Sequence, residues 1–255
     1  MDAYTSFAEV YDTFMDNIDY EVWGEYLHGL LKAFQVSEGV VAELGCGTGS
    51  MTEILAARGY DMIGIDAAVE MLQKADQKRV DSGHDILYLN QDMRELELYG
   101  TVKAVVCICD SLNYITEPEE LCEVFRLVNR YLDPGGVFIF DFNTEYKYRE
   151  ILGEQTIAEN RDEGSFIWEN YYDSEDLINE YDLTLFIKAE NGYYQKYEET
   201  HYQRAYTLPE IKQLIDASGL IYVTAYDAFS EAAPQEKSER IYVVAREAGK
   251  VEMAK

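Results

Sequence analysis

The chain has 255 residues, 47% of them hydrophobic, which suits one large domain or a domain carrying a sizeable insertion. Asp and Glu number 49 against 21 Lys and Arg, a formal charge of −28, and this balance argues against partners held by phosphate neutralisation: DNA, RNA or an anionic membrane. The four cysteines, Cys46, Cys107, Cys109 and Cys122, have no Cys-x-x-Cys spacing, and no apolar run approaches the ~18 residues of a span, so the expectation is a soluble cytoplasmic protein with free thiols, no disulfides and no metal site.

The first 38 residues read as a helical cover. VVAEL (40–44) is a short apolar strand followed by the turn GCGTG, and residues 49–57 suit a helix. YDMIGID (60–66) is a second strand, and AAVEMLQKADQKRV (67–80) has helical spacing through Val69, Leu72 and Ala75. ILYLN (86–90), VKAVVCIC (102–109) and GVFIFDF (136–142) are further strands, which places Cys107 and Cys109 together inside one of them. Between the last two, 117–132 repeats apolar residues at helical spacing; Pro118 suits its first turn and Asp-Pro-Gly-Gly stops it. Alternating strands and helices imply crossover units and a mainly parallel sheet, with ligands bound beyond the carboxyl ends of its strands. Acidic residues stand at those ends: Glu43, Asp66, Asp92, Asp110 and Asp141.

After 142 the pattern changes. Residues 166–173, 177–190 and 192–206 read as antiparallel strands with turns at Asp173–Asp176 and Asn191-Gly192. They are rich in tyrosine (Tyr171, Tyr172, Tyr181, Tyr193, Tyr194, Tyr197, Tyr202, Tyr206), as strand propensity or an aromatic pocket would require. Residues 207–219 form a helix capped by Thr207 and Gly219, and 221–229 and 240–247 are closing strands. The organisation is then an α/β domain from 39–142 and 207–247, with 143–206 inserted as an antiparallel lid or substrate platform.

The glycines of ELGCGTG lie between a strand and a helix N-terminus, a site for polar or anionic ligand groups. A dinucleotide fingerprint needs a glycine where Ser50 stands, which opposes a nicotinamide enzyme. Asp66, about twenty residues on, can accept bonds from a ribose diol, and Asp92 can accept from an exocyclic amine. ELGCGTG, the GID ending in Asp66 and the QDM of 91–93 together resemble the class I S-adenosylmethionine-dependent methyltransferases. The resemblance implies a Rossmann-like seven-stranded sheet whose last strand is antiparallel, with S-adenosyl-L-methionine as cofactor. It implies that Gly45, Gly47 and Gly49 approach the methionine part, with Glu43, Cys46, Thr48, Ala67 and Met71 around them. Asp66 would hold the ribose, Asp92 and Met93 the adenine, and Cys109, Asp110 and Ser111 would stand near the reacting methyl. The opening YTSFAEVYDTFM, Trp23, DSLNYI and the insertion resemble a bacterial subgroup similar to enzymes that methylate amines of sugars and amino acids, in which Tyr11 and Trp23 would cover the cofactor.

The reaction so implied needs alignment and exclusion of water, and a base only where the acceptor carries a proton. Asp110 is not followed by a Pro-Pro-aromatic element, which disfavours DNA and protein-glutamine substrates. Asp110 with Asp141 and Asn143 resembles the metal triad of catechol-type enzymes in composition alone. In THYQRAY (200–206), His201 and Gln203 face one way on a regular strand, and Tyr202, Arg204 and Tyr206 the other. Arg204 with Tyr206 are the expected substrate or cofactor-end contacts, with His201 as candidate base. The expected partner is a small-molecule methyl acceptor, an amine, with a homodimer through the exposed inserted strands as a further expectation. A cofactor-binding regulatory or assembly protein without turnover is the alternative.

Overall fold

The protein was analysed as a computed structural model that describes residues 11–14, 19–189 and 191–250. A short helix α1 (Tyr11–Phe14) and a longer α2 (Tyr20–Ala33) precede the sheet; Asp19 caps α2 by accepting from the Val22 N–H at 3.1 Å. Then follow β1 (Val40–Leu44), α3 (Ser50–Ala57), β2 (Asp61–Asp66), α4 (Val69–Ser82), β3 (Ile86–Asn90), β4 (Val102–Cys107), α5 (Pro118–Tyr131) and β5 (Leu132–Asn143). The insertion is a helical turn, Lys147–Leu152, and four strands: β6 (Thr156–Asn160), β7 (Gly164–Asp173), β8 (Ile178–Lys188) and β9 (Tyr194–Arg204). Helix α6 (Leu208–Ala217), β10 (Leu220–Asp227) and β11 (Arg240–Glu247) complete the chain.

The main sheet has seven strands in the order β10-β11-β5-β4-β1-β2-β3, and β6 to β9 form a separate four-stranded sheet in sequential order. β1 to β5 are parallel, while β11 runs antiparallel between β5 and β10. This is the expected Rossmann-like sheet. Its strand order reverses between β1 and β4, and that switch point opens a crevice at their carboxyl ends.

Alternation along the strands builds two apolar layers. Phe138, Phe140 and Phe142 of β5 face α5 and α6 with Val124, Phe125 and Ile215, whereas Val137 and Ile139 face α2 and α3 with Leu27, Leu31 and Leu55. Among the described residues no helix is long and apolar enough to cross a membrane.

Three local expectations need correction. β4 ends at Cys107, because Cys109 and Asp110 take left-handed backbone, φ 59° and 55°. β5 begins at Leu132 and includes Asp-Pro-Gly-Gly, which the ladder absorbs through a register shift against Val102 and Ala104. β6 and the turn 147–152 had no counterpart in the sequence reading, since TIAEN is too short and polar to stand out. Phe140 is fully buried, with ring centroids 4.6 Å from Phe138 and 5.2 Å from Phe125. Phe140→Ala is expected to cost about 3–5 kcal/mol in urea unfolding; a loss below about 1 kcal/mol would contradict this packing.

Candidate active site

The glycine turn is built by backbone that only glycine tolerates well. Gly45, Gly47 and Gly49 have φ of 67°, 53° and 75°. A Cβ on Gly45 would lie 2.5 Å from Ser111 Oγ, so this glycine brings the β1 and β4 loops together. One on Gly49 would meet the Tyr88 hydroxyl at 2.4 Å and Ala75 Cβ at 2.9 Å. Asp66 clamps the turn from the end of β2: the Gly47 N–H donates to Oδ2 and the Ala68 N–H to Oδ1, both at 2.8 Å. Burial pushes the Asp66 carboxyl up, and these backbone donors oppose the shift.

Above the turn lies a cavity of 460 Å³, within the usual size for a small-molecule site. Of the sequence-derived cofactor residues, Tyr11, Glu43, Gly45, Cys46, Gly47, Thr48, Asp66, Ala67, Met71, Asp92, Met93, Cys109 and Ser111 line it. Tyr20, Gln91, Arg94 and Tyr114 also line it; Gln91 opens the QDM motif, whereas Tyr20 and Arg94 belonged to no cofactor motif. Asp92 is not a free carboxylate, because the guanidinium of Arg94 grips it at 2.6 Å, holding its carboxyl low, and Arg94 also pairs with Glu120 at 2.9 Å. Glu43 is buried and accepts from the Thr52 hydroxyl. Burial pushes the Cys46, Cys107 and Cys109 thiols well up, so they stay protonated and are poor nucleophiles.

Several expected residues stand elsewhere. Gly49 packs α3 against Tyr88 and α4 and does not line the cavity. Trp23 lies on the outer layer, 5.0 Å from Phe229 and under the Arg240 guanidinium at 5.1 Å. Asp110 turns from the cavity, pairing with Arg240 at 2.6 Å and accepting from Gln203 Nε2 at 2.7 Å. Arg204 pairs with Glu210 at 2.9 Å and covers the Tyr206 ring, whose hydroxyl donates to the Ile115 carbonyl. That pair anchors the insertion to α6, because the inward face of β9 is the other one: Glu199, His201 and Gln203. His201 contacts Tyr114 and not the cavity directly.

Asp141 organises the β4 loop. The buried carboxylate accepts from the Cys109 N–H at 3.1 Å and the Asp110 N–H at 2.8 Å, which stabilises their left-handed backbone. Arg240 neutralises it at 2.8 Å. Arg240 opens β11 and pairs in register with Asn143, a proximity that only the strand order reveals.

A glycine turn and acidic groups at the ends of β1, β2 and β3, around one cavity at a switch point, define a site for a nucleoside cofactor. The donor set fits S-adenosylmethionine: the Asp66 carboxylate for the ribose diol, and beside it the buried carboxyl of Glu43 as a further polar partner for the ligand. A methyltransferase domain family matches residues 41–136, the stretch that holds the turn and these acids. Over 244 residues the chain is 34% identical to the putative methyltransferase YqeM of Bacillus subtilis, covering 95% of this chain and 96% of that one. The crystal structure of an S-adenosylmethionine-dependent methyltransferase from Clostridium acetobutylicum superposes with a TM-score of 0.86 at 28% identity, covering 97% and 100% of the two chains. KedS8 from a Streptoalloteichus species shares the fold at a TM-score of 0.77 and 15% identity, over 94% and 93%. The chain belongs to the class I S-adenosylmethionine-dependent methyltransferases.

The Glu43 carboxyl is pushed up to about 8 by burial, against the Thr52 hydrogen bond, with the Asp66 charge adding to the rise. The folded state therefore binds this proton more tightly than the unfolded chain, and the associated stability is lost as pH rises from about 4.5 through about 8. Glu43→Gln should flatten this slope in urea unfolding of the ligand-free protein at three pH values across that window. Parallel wild-type and variant profiles would show that Glu43 titrates normally.

Proposed function

We propose that the protein transfers a methyl group to a small-molecule amine. The observation that carries this reading is the charge of the cavity wall. Asp66 and Asp92 line it as carboxylates beside the phenols of Tyr11, Tyr20 and Tyr114, Glu43 adds a carboxyl that burial keeps protonated near neutral pH, and the wall's one cationic side chain among the described residues, Arg94, is engaged by Asp92 and Glu120. Such a wall favours cationic ligands and offers an anionic acceptor no unengaged partner. KedS8, whose fold this chain shares, is a sugar N-methyltransferase, which supports the same acceptor class.

Bound S-adenosylmethionine supplies an activated methyl on a sulfonium. What the protein adds is position and exclusion of water. The Asp66 clamp fixes the turn and offers remaining lone pairs to a ribose, and Met71 and Met93 supply apolar wall. Tyr20 and Tyr11 close the cavity from the N-terminal side, and α1 is tied down where Asp12 accepts from Thr48 at 2.6 Å and pairs with Lys78 at 2.7 Å. Ser111 and Tyr114 face the acceptor end on the loop that Asp141 holds. The thiols, being protonated, take no covalent part.

The test is transfer of labelled methyl from S-adenosylmethionine to parallel panels of amino sugars, amino acids, catechols and a mixed peptide library. Methylation confined to amines is the expected result. Preferential labelling of catechols or peptides would overturn the acceptor class. Tight cofactor binding with no labelling of any panel would favour a regulatory role without turnover.

A further inference from the structure

The inward face of β9 carries three polar side chains in a row, Glu199, His201 and Gln203, all buried. Packing against a core calls for apolar residues at such positions. Gln203 has a structural use, joining Asp110 to the Tyr148 hydroxyl, from which it accepts at 3.1 Å. The other two line up toward the active site. His201 Nδ1 lies 3.3 Å from the Tyr114 hydroxyl, and His201 Nε2 lies 3.3 Å from Glu199 Oε2, with both side chains 1% exposed. Tyr181, directly across the ladder, stacks on the imidazole at 4.7 Å with planes 9° apart and hydrogen-bonds the Tyr114 hydroxyl. Tyr114 lines the cavity beside Cys109, Ser111 and Ile115. Contacts within bonding reach thus lead from the cavity through a phenol and an imidazole to a buried carboxylate.

We infer that Tyr114, His201 and Glu199 form a proton-accepting chain for the methyl acceptor. The inference rests on the amine reading insofar as the acceptor arrives protonated. An ammonium has no lone pair to attack with, so one N–H proton must leave first. The acceptor proton passes to the Tyr114 oxygen while the Tyr114 hydroxyl proton moves to His201 Nδ1. The acceptor becomes a neutral amine, the phenol is restored, and the imidazole carries the charge. A buried imidazolium needs a counter-charge, and Glu199 provides it on the side away from Tyr114. Tyr181 keeps the ring plane fixed. Tyr114 is the catalytic residue of this chain; His201 and Glu199 act through it. The titratable groups that the described residues bring against the His201 ring are Tyr114 from the β4 loop, Tyr181 from β8 and Glu199 from its own strand.

The chain has three histidines, so ring 15N spectra of the labelled protein bound to S-adenosylhomocysteine resolve His201, assigned by its loss in His201→Asn. The His201 Nε2 resonance should move in Glu199→Gln and the Nδ1 resonance in Tyr114→Phe, because each ring nitrogen answers to its own partner in the chain. With a panel amine that the wild type methylates, Tyr114→Phe and His201→Asn should lose about 100-fold in kcat near neutral pH. Most of that loss should return at a pH where the amine ionises unaided, a recovery that a purely structural defect would not show. Calorimetry with S-adenosylhomocysteine should stay within about threefold of wild type, which confirms intact folding. A His201 ring whose two nitrogens ignore these substitutions, or equal kcat losses at every pH, would overturn the chain. If the wild type methylates no amine, the acceptor reading fails by itself, and the His201 ring resonances still decide whether the proton path exists.

Discussion

The carboxylate of Asp66 is the tie on which the cofactor site depends. Both its oxygens accept backbone N–H groups, one from the glycine turn after β1 and one from the entry to α4. Three glycines at positive φ form a turn with many alternatives, and a charge-assisted bond from its middle glycine selects one of them. The same carboxylate ends β2 in register with Asn90, whose side-chain amide donates to the Asp66 and Ala67 carbonyls at 3.1 and 2.9 Å. Motif, sheet register and ligand site are therefore one construction.

A second carboxylate does the corresponding work at the end of β4. Asp141 stabilises two consecutive left-handed residues, and Arg240 offsets the cost of burying it. Because Arg240 also holds Asp110, and Asp110 accepts from Gln203, the arrangement reaches from the last strand of the main sheet into the inserted one. The insertion is consequently fastened to the β4 loop that lines the cavity. Tyr114 hydrogen-bonds at that junction, between the cavity and the inward face of β9.

Much of the cofactor half was legible in the sequence because its signals are local. Glycines at alternate positions, an aspartate at the end of the next strand and alternating periodicities all act within short stretches, and they led to the sheet and to most of the cavity wall. The acceptor half was read less well because its determinants are distant in sequence. Period-two alternation divided THYQRAY into two faces but could not say which one turns inward; the sheet's placement decided for Glu199, His201 and Gln203. Arg204 and Tyr206 then found structural partners in Glu210 and Ile115. Trp23 fell to a layer fixed by the packing of α2, and Arg240 reached the site only through the pairing of β11 with β5. Gly49 carried the motif's spacing without its contact.

The central claim is that this glycine turn and its aspartate bind S-adenosylmethionine and not a dinucleotide. Isothermal calorimetry with S-adenosylmethionine, S-adenosylhomocysteine and NAD, on wild type and Asp66→Ala, tests it most directly. Micromolar binding of the first two, no binding of NAD, and a loss of at least about 100-fold in the variant is the predicted result. Binding of NAD in place of both, or cofactor binding untouched by Asp66→Ala, would contradict it.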